Sequence, residues 1–314
     1  MHTTLLPLVQ AEAYQIPWGG LALDYVGFIS YFAMFGALGF YFVLLRGMRV
    51  QLHADPRPDA SGIAGTVLSA ERGGARIGLV GSILFLGDLL AGVAANAADK
   101  QIGFADAIHR GGPRLMTPLL LGVLLILSFV LALGRIRTGW IVALIAGLVL
   151  ALRSVATGKW ASMVNPIHEL AASLWLGTLL VLVVAGLPAV LRSQLGSERR
   201  GALIAELVAR FSPLALGAGG LLGITGVITA WRHLKFVAAL WTTSYGYALD
   251  LKLVVVAIVF GLGGWNWKRM TPRLGSESAA FELRRSAKAE LSFAAIVLVI
   301  TAVLVSLPSP KLPH

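Results

Sequence analysis

Asn165-Pro166-Ile167-His168-Glu169-Leu170-Ala171-Ala172-Ser173-Leu174-Trp175-Leu176-Gly177 opens an apolar run that continues to Leu191. Crossing the hydrocarbon core of a bilayer takes about 20 apolar residues in helical form, and the run from Leu170 to Leu191 meets that length. Backbone polar groups in lipid must pair within their own segment, so the run is expected to be a helix. An imidazole and a carboxylate stand at its mouth. Ionisable groups are costly at membrane depth and mark functional positions. His168 is the only one of the six histidines that opens a clean apolar helix.

Seven further apolar runs surround this one, giving eight at roughly 21–45, 75–95, 115–134, 139–157, 166–191, 211–231, 247–267 and 288–307. The expected fold is therefore all-α, a polytopic membrane protein of eight transmembrane helices. Composition agrees: mean hydropathy is +0.80, 57% of residues are hydrophobic and 13% are charged, about half the charge content of a soluble domain. The formal net charge of +11 reads as basic flanks that orient spans, and nucleic acid is not an expected partner. The absence of cysteine excludes disulfides, thiolate metal sites and cysteine nucleophiles. Residues 1–19 hold no Lys or Arg, so no cleaved signal peptide is expected there. No Walker motif, cysteine-based pump motif or Ser/His/Asp triad is present, which leaves an ATP-driven pump unsupported.

Between the runs, 46–74 is expected to be a Pro-punctuated loop, and 97–114 a longer loop with a short helix from Phe104 to His109. Seventeen of the 26 Lys and Arg residues fall in one set of alternate loops and seven on the other side. The positive-inside rule then puts both termini outside the cytoplasm. His2, His109, His168, His233 and His314 sort to the outer side with Met116 and Met163, and only His53 to the inner side.

A faint internal repeat aligns Arg76-Ile77-Gly78-Leu79 with Arg210-Phe211-Ser212-Pro213, and Gly112-Pro113-Arg114-Leu115 with Gly246-Tyr247-Ala248-Leu249. It divides the chain into two related four-helix units, 1–160 and 161–314, running in the same sense because each holds an even number of spans. The second unit carries the ionisable groups.

His168 and Glu169 in span 5, and Asp250 and Lys252 in span 7, are expected at one depth near the outer surface. Neutral imidazole is a ligand for copper or haem iron. Lys252 would pair with Asp250 or Glu169, or else snorkel to headgroups while His168 caps a helix. Met163 and His168, spaced i, i+5 across Pro166, combine thioether and imidazole, a set suited to Cu(I). His109 with Met116 is a similar pair, and His233 follows Trp231 and Arg232 at the end of span 6. Asp24, Asp88 and Arg153 are further charges within spans, with Asp88 and Arg153 a candidate structural pair. The glycines Gly217, Gly219, Gly220, Gly223 and Gly226 mark a packing face of span 6.

The ordered set His168-x6-Trp175-x-Gly177, Arg210-Phe211-Ser212-Pro213-Leu214-Ala215, Thr225-Gly226 with Trp231, Ser244-Tyr245-Gly246-Tyr247-Ala248-Leu249-Asp250-Leu251-Lys252-Leu253, Arg284-Arg285 with Glu290-Leu291, and Ser306-Leu307-Pro308-Ser309-Pro310 resembles the copper resistance protein D (CopD) family over about 165–310. The resemblance implies an inner-membrane copper-handling protein that takes copper from the periplasm inward, not an enzyme. It often works beside a separate periplasmic copper-binding partner of the CopC type. His168, Met163, His109 and His233 are then the expected metal ligands, with Glu169, Asp250 and Lys252 gating or tuning entry. His168 and the Lys252-Leu253 neighbourhood also resemble the HemJ-type membrane haem proteins. That likeness implies a haem b electron-transfer or oxidoreductase protein with His168 as axial ligand. A membrane scaffold for a periplasmic copper protein is the third reading.

Overall fold

The computed structural model describes residues 18–53, 60–153, 160–234, 236–266, 268 and 277–307. All regular structure among them is helical: α1 (Trp18–Gly39), α2 (Arg46–His53), α3 (Ala60–Asp99), α4 (Phe104–Leu133), α5 (Arg137–Leu152), α6 (Trp160–Ala172), α7 (Thr178–Val181), α8 (Leu187–Leu191), α9 (Ser197–Leu234), α10 (Ala239–Thr242), α11 (Ser244–Trp265) and α12 (Glu277–Ser306). Wider π-helical turns at Phe40–Leu45, Ser173–Gly177 and Leu182–Gly186 join α1 to α2 and α6 through α7 to α8. Each joined set is one continuous rod. His2 and His314 lie outside the described residues.

Seven helical stretches are long and apolar enough to cross a membrane: Trp18–Arg49, Ala60–Asp99, Phe104–Leu133, Met163–Leu191, Ser197–Leu234, Ser244–Trp265 and Glu282–Ser306. The protein is therefore a multi-pass membrane protein. The eighth expected run, 139–157, corresponds to α5. Its 16 residues extend about 24 Å at 1.5 Å per residue, short of the ~30 Å hydrocarbon core.

Helices run well past the apolar stretches. The expected 46–74 loop contains α2 and the first turns of α3, and α9 begins at Ser197 rather than near 211. Polar residues continue a helix when they pair along it, as Glu206 and Arg210 do at i, i+4, 2.8 Å apart. The short helix from Phe104 is present, and it continues into the following span across a kink. There Gly112 takes φ +51° before Pro113, a left-handed conformation that glycine adopts without steric cost.

Two rods form the centre. In the apolar windows of Trp18–Arg49 and Met163–Leu191, 72% of residues are buried, against 17–33% in the other spans. These rods cross where Gly36 meets Gly177. A Cβ on Gly177 would strike the Phe32 carbonyl and the Gly36 backbone, and one on Gly36 would strike Gly177. Small residues let the two backbones touch, which is how helices associate strongly in lipid.

On one side of the pair, α3, α4 and α5 bury Phe85, Leu125, Phe129 and Trp140 against Met34, Phe35 and Leu38 of α1. On the other, α9, α11 and α12 pack Ala218, Val259 and Ala294 around Trp175, Leu176 and Phe32. Glu71 is fixed in the first half. It pairs with Arg49 and accepts the indole N–H of Trp140 at 3.1 Å, and that indole stacks on Tyr41 at 4.2 Å.

Candidate functional site

His168 is not at a helix start. The helix begins at Trp160, so the imidazole sits nine residues in, two beyond Pro166. Among the described residues it is half-buried and faces α9. Its Nδ1 lies 2.9 Å from Thr225 Oγ1. The Thr225 hydroxyl has a single hydrogen, and the Leu221 carbonyl accepts it at 2.7 Å. With that hydrogen on the Leu221 carbonyl, the imidazole donates from Nδ1 and Nε2 carries the lone pair. A hydrogen bond on one ring nitrogen that fixes the other as the ligand is the usual arrangement at metal-binding histidines. Gly226 eases the approach, since a Cβ there would come 3.3 Å from His168 Cε1, closer than an ordinary contact.

The contact belongs to a polar ladder. Thr225, Thr229 and His233 recur every four residues on α9 and share one face. Opposite them on α6 stand His168 and Asn165, three residues apart. Thr229 Oγ1 donates to Asn165 Oδ1 at 3.3 Å. His233 Nδ1 donates to the Thr229 carbonyl at 2.8 Å, and its ring stacks 6.2 Å from Tyr245. His233 is thus two helical turns beyond Thr225, about 12 Å along the axis. Thr225 carries the orientation of His168, yet the sequence shows it only as half of a Thr-Gly pair inside an apolar run.

Lys252 comes to this end of the bundle on α11, half-buried, with its charge acting on the His168 imidazole. It makes no ion pair with Asp250 or Glu169 among the described residues. Asp250 is two residues away on the same helix, a spacing that turns the two side chains to different faces. Glu169, one residue past His168, turns about 100° away from it, toward Tyr31 of α1, which lies in its field and in that of Arg153. The expected Asp88–Arg153 pair does not form. Arg153 donates to the Arg114 carbonyl at 3.0 Å, and Asp88 faces Asp24 across a cleft bounded by Asn96, Lys100 and Arg110.

The other expected donors are dispersed. Met163 is half-buried on α6, one turn before Ile167. His109 and Met116 are exposed on α4, on either side of the Gly112 kink. Among the described residues no three His, Cys, Asp or Glu side chains cluster to hold a metal ion.

Two turns below His168 on the same rod, Trp175 packs against Phe260 of α11, ring centroids 4.7 Å apart. Beneath them is a cavity of about 380 Å³, lined by Leu182, Phe211, Ser212, Asn266 and Glu290. Glu290 is 4% exposed, and the Asn266 amide donates to it from Nδ2 at 3.3 Å.

The family model described as copper resistance protein D matches residues 205–304, which covers most of α9, all of α11 and most of α12, hence Thr225, Lys252 and Glu290. A relative in Bacillus subtilis (strain 168), named copper transport protein CutJ, is 33% identical over 149 residues. The match takes in 47% of this chain and 25% of the relative, so the chain spans about a quarter of that protein's length. No solved structure matches the chain.

Proposed function

From a chain whose residues 205–304 match the copper resistance protein D family model, we propose a membrane protein that binds copper and passes it across or into the bilayer. The observation that carries this reading is the commitment of His168 Nδ1 to Thr225. It leaves a free Nε2 in a half-buried position between α6, α9 and α11. Copper is the cargo here. Imidazole nitrogen and thioether sulfur are the donors that suit Cu(I), and His168 and Met163 supply one of each on α6. His233 and Asn165 extend the polar ladder toward the end of α9 and form the approach, with His109 a separate, exposed binding point. Lys252, Glu169 and Asp250 set the local charge, and Lys252 disfavours a resting cation so that the ion does not lodge. The relative's printed name, copper transport protein, fits a transporter rather than an enzyme.

The orientation follows the loop charges: both termini face the periplasm, in the inner membrane of a bacterium, and copper enters at the His168 end. A CopC-type periplasmic protein would deliver it. We read the two sides of the central helix pair as the related units 1–160 and 161–314. A reporter fused after His314 should be active only outside the cytoplasm, and a cytoplasmic signal would reverse the orientation.

Copper bound to purified protein, titrated as Cu(I) against a competing chelator, tests the site. Wild-type protein should bind and His168→Ala should not, while Met163→Leu should bind more weakly. Equal affinity in wild type and His168→Ala would overturn the assignment.

A further inference from the structure

The cavity below Trp175 is almost wholly apolar, yet it holds a glutamate inside the bundle. Among the described residues Glu290 faces no cation. On α12 itself, Glu282, Arg284, Arg285 and Lys288 lie eight, six, five and two residues nearer the helix start. From α9, Arg210 is occupied by Glu206. On α11, Lys252 and Asp250 are 14 and 16 residues from Asn266, some 21 Å or more away at 1.5 Å per residue, and Lys268, two residues past Asn266, is exposed. The rod from Thr178 to Gly186 offers no titratable group, and Tyr41, in the π-helical turn after α1, is stacked on Trp140. Asn266 is thus the one polar partner of Glu290 among the described residues, and Asn266 Oδ1, buried beside it, has none.

This geometry serves two states of one group. Ionised, Glu290 accepts from Asn266 Nδ2 across the 3.3 Å contact. Protonated, it has an O–H to donate, and the unpartnered Oδ1 of the same amide is the acceptor. A lone carboxylate in an apolar cavity is costly as an anion, and it is relieved by taking up a proton. The oxygen donors Glu290, Asn266 and Ser212, with no sulfur or imidazole among the lining residues, are wrong for a second copper station. They are too few for the six or more oxygens of a hard metal cation.

We infer that Glu290 and Asn266 form a proton-binding site that exchanges its proton with water in this cavity when a cation enters the bundle at His168. The coupling rests on the copper reading above; the proton site rests on the cavity. The proton leaves the Glu290 O–H for cavity water as the bundle gains the cargo's charge, so the net charge held in the membrane stays level.

Infrared difference spectroscopy on the full-length protein in lipid tests this through the C=O stretch of a protonated carboxylic acid. Wild type should show such a band that fades as pH rises. Glu290→Gln should lose it, Glu290→Asp should keep it at a displaced frequency, and Asn266→Leu should shift it as the acceptor goes. Adding Cu(I) at fixed pH should bleach the band in wild type and leave it intact in His168→Ala. A wild-type spectrum identical to that of Glu290→Gln overturns the proton site. Bleaching by sodium alone at constant pH makes it an alkali-cation site and also overturns the proposal. A band that titrates with pH but ignores bound copper overturns the coupling. If wild type binds no copper, the cargo reading falls, and the pH titration alone decides the proton site.

Discussion

Glu71 and Glu290 are buried almost equally, at 3% and 4% exposure, and are held in opposite ways. Glu71 has an arginine on one oxygen and an indole N–H on the other, with the indole itself clamped on Tyr41. Both carboxylate oxygens are satisfied, and the cluster bolts α2, α3 and α5 together. Glu290 has one amide at 3.3 Å and a cavity. His168 is similarly half-engaged, with one nitrogen spoken for and one free. A buried polar group that is fully partnered fixes structure, while one left partly partnered is available to bind something. By that criterion Glu71 belongs to the scaffold, while Glu290 and His168 are groups left available to bind.

Substitutions can break this contrast. Glu71→Ala leaves the Trp140 N–H without its acceptor in the interior and removes the carboxylate that Arg49 holds, and should cost about 3 kcal/mol, read as a large fall in thermal midpoint in detergent. Gly36→Val forces the two central rods apart and should cost about 1–3 kcal/mol by the same assay. Thr225→Val keeps the shape of the ladder but releases His168 Nδ1. Loss of such an orienting partner typically weakens a metal site about 10–100-fold, so copper affinity should fall by that factor with the thermal midpoint little changed. Glu290→Gln should change stability by less than about 1 kcal/mol, because the glutamine still accepts from Asn266 and no charge is left in the cavity. A fall for Glu290→Gln as large as that for Glu71→Ala would erase the distinction and make Glu290 a structural residue too.

The helical class and the membrane were legible in the sequence because a chain of repeated long apolar runs, seven of them helices long enough to span, has few other physical outcomes. Helix ends were not. Hydropathy reports which residues face lipid or core, and it is silent on Arg49, Glu71, Glu206 and Arg210, which pair and carry helices past the apolar stretch. His168 stood out from its position at the head of a run, and Lys252 from its charge inside one. Their surroundings did not, since the His168–Thr225 bond joins residues 57 apart in the chain and exists only once α6 lies on α9. The motif residues gain separate physical reasons. Gly177 permits the helix crossing, Gly226 admits the imidazole, and Phe211 and Ser212 line the cavity. Asp88 and Arg153 show the opposite failure, where two lone charges suggested a pair and the fold gave each another neighbour.

The central claim is that cargo passes by the free nitrogen of His168. Copper uptake into vesicles carrying wild-type or His168→Ala protein at matched expression tests it most directly. Uptake with wild type that falls to the level of empty vesicles in His168→Ala is the predicted result. Equal uptake by both proteins, above empty vesicles, would contradict the account and place the copper path elsewhere in the bundle.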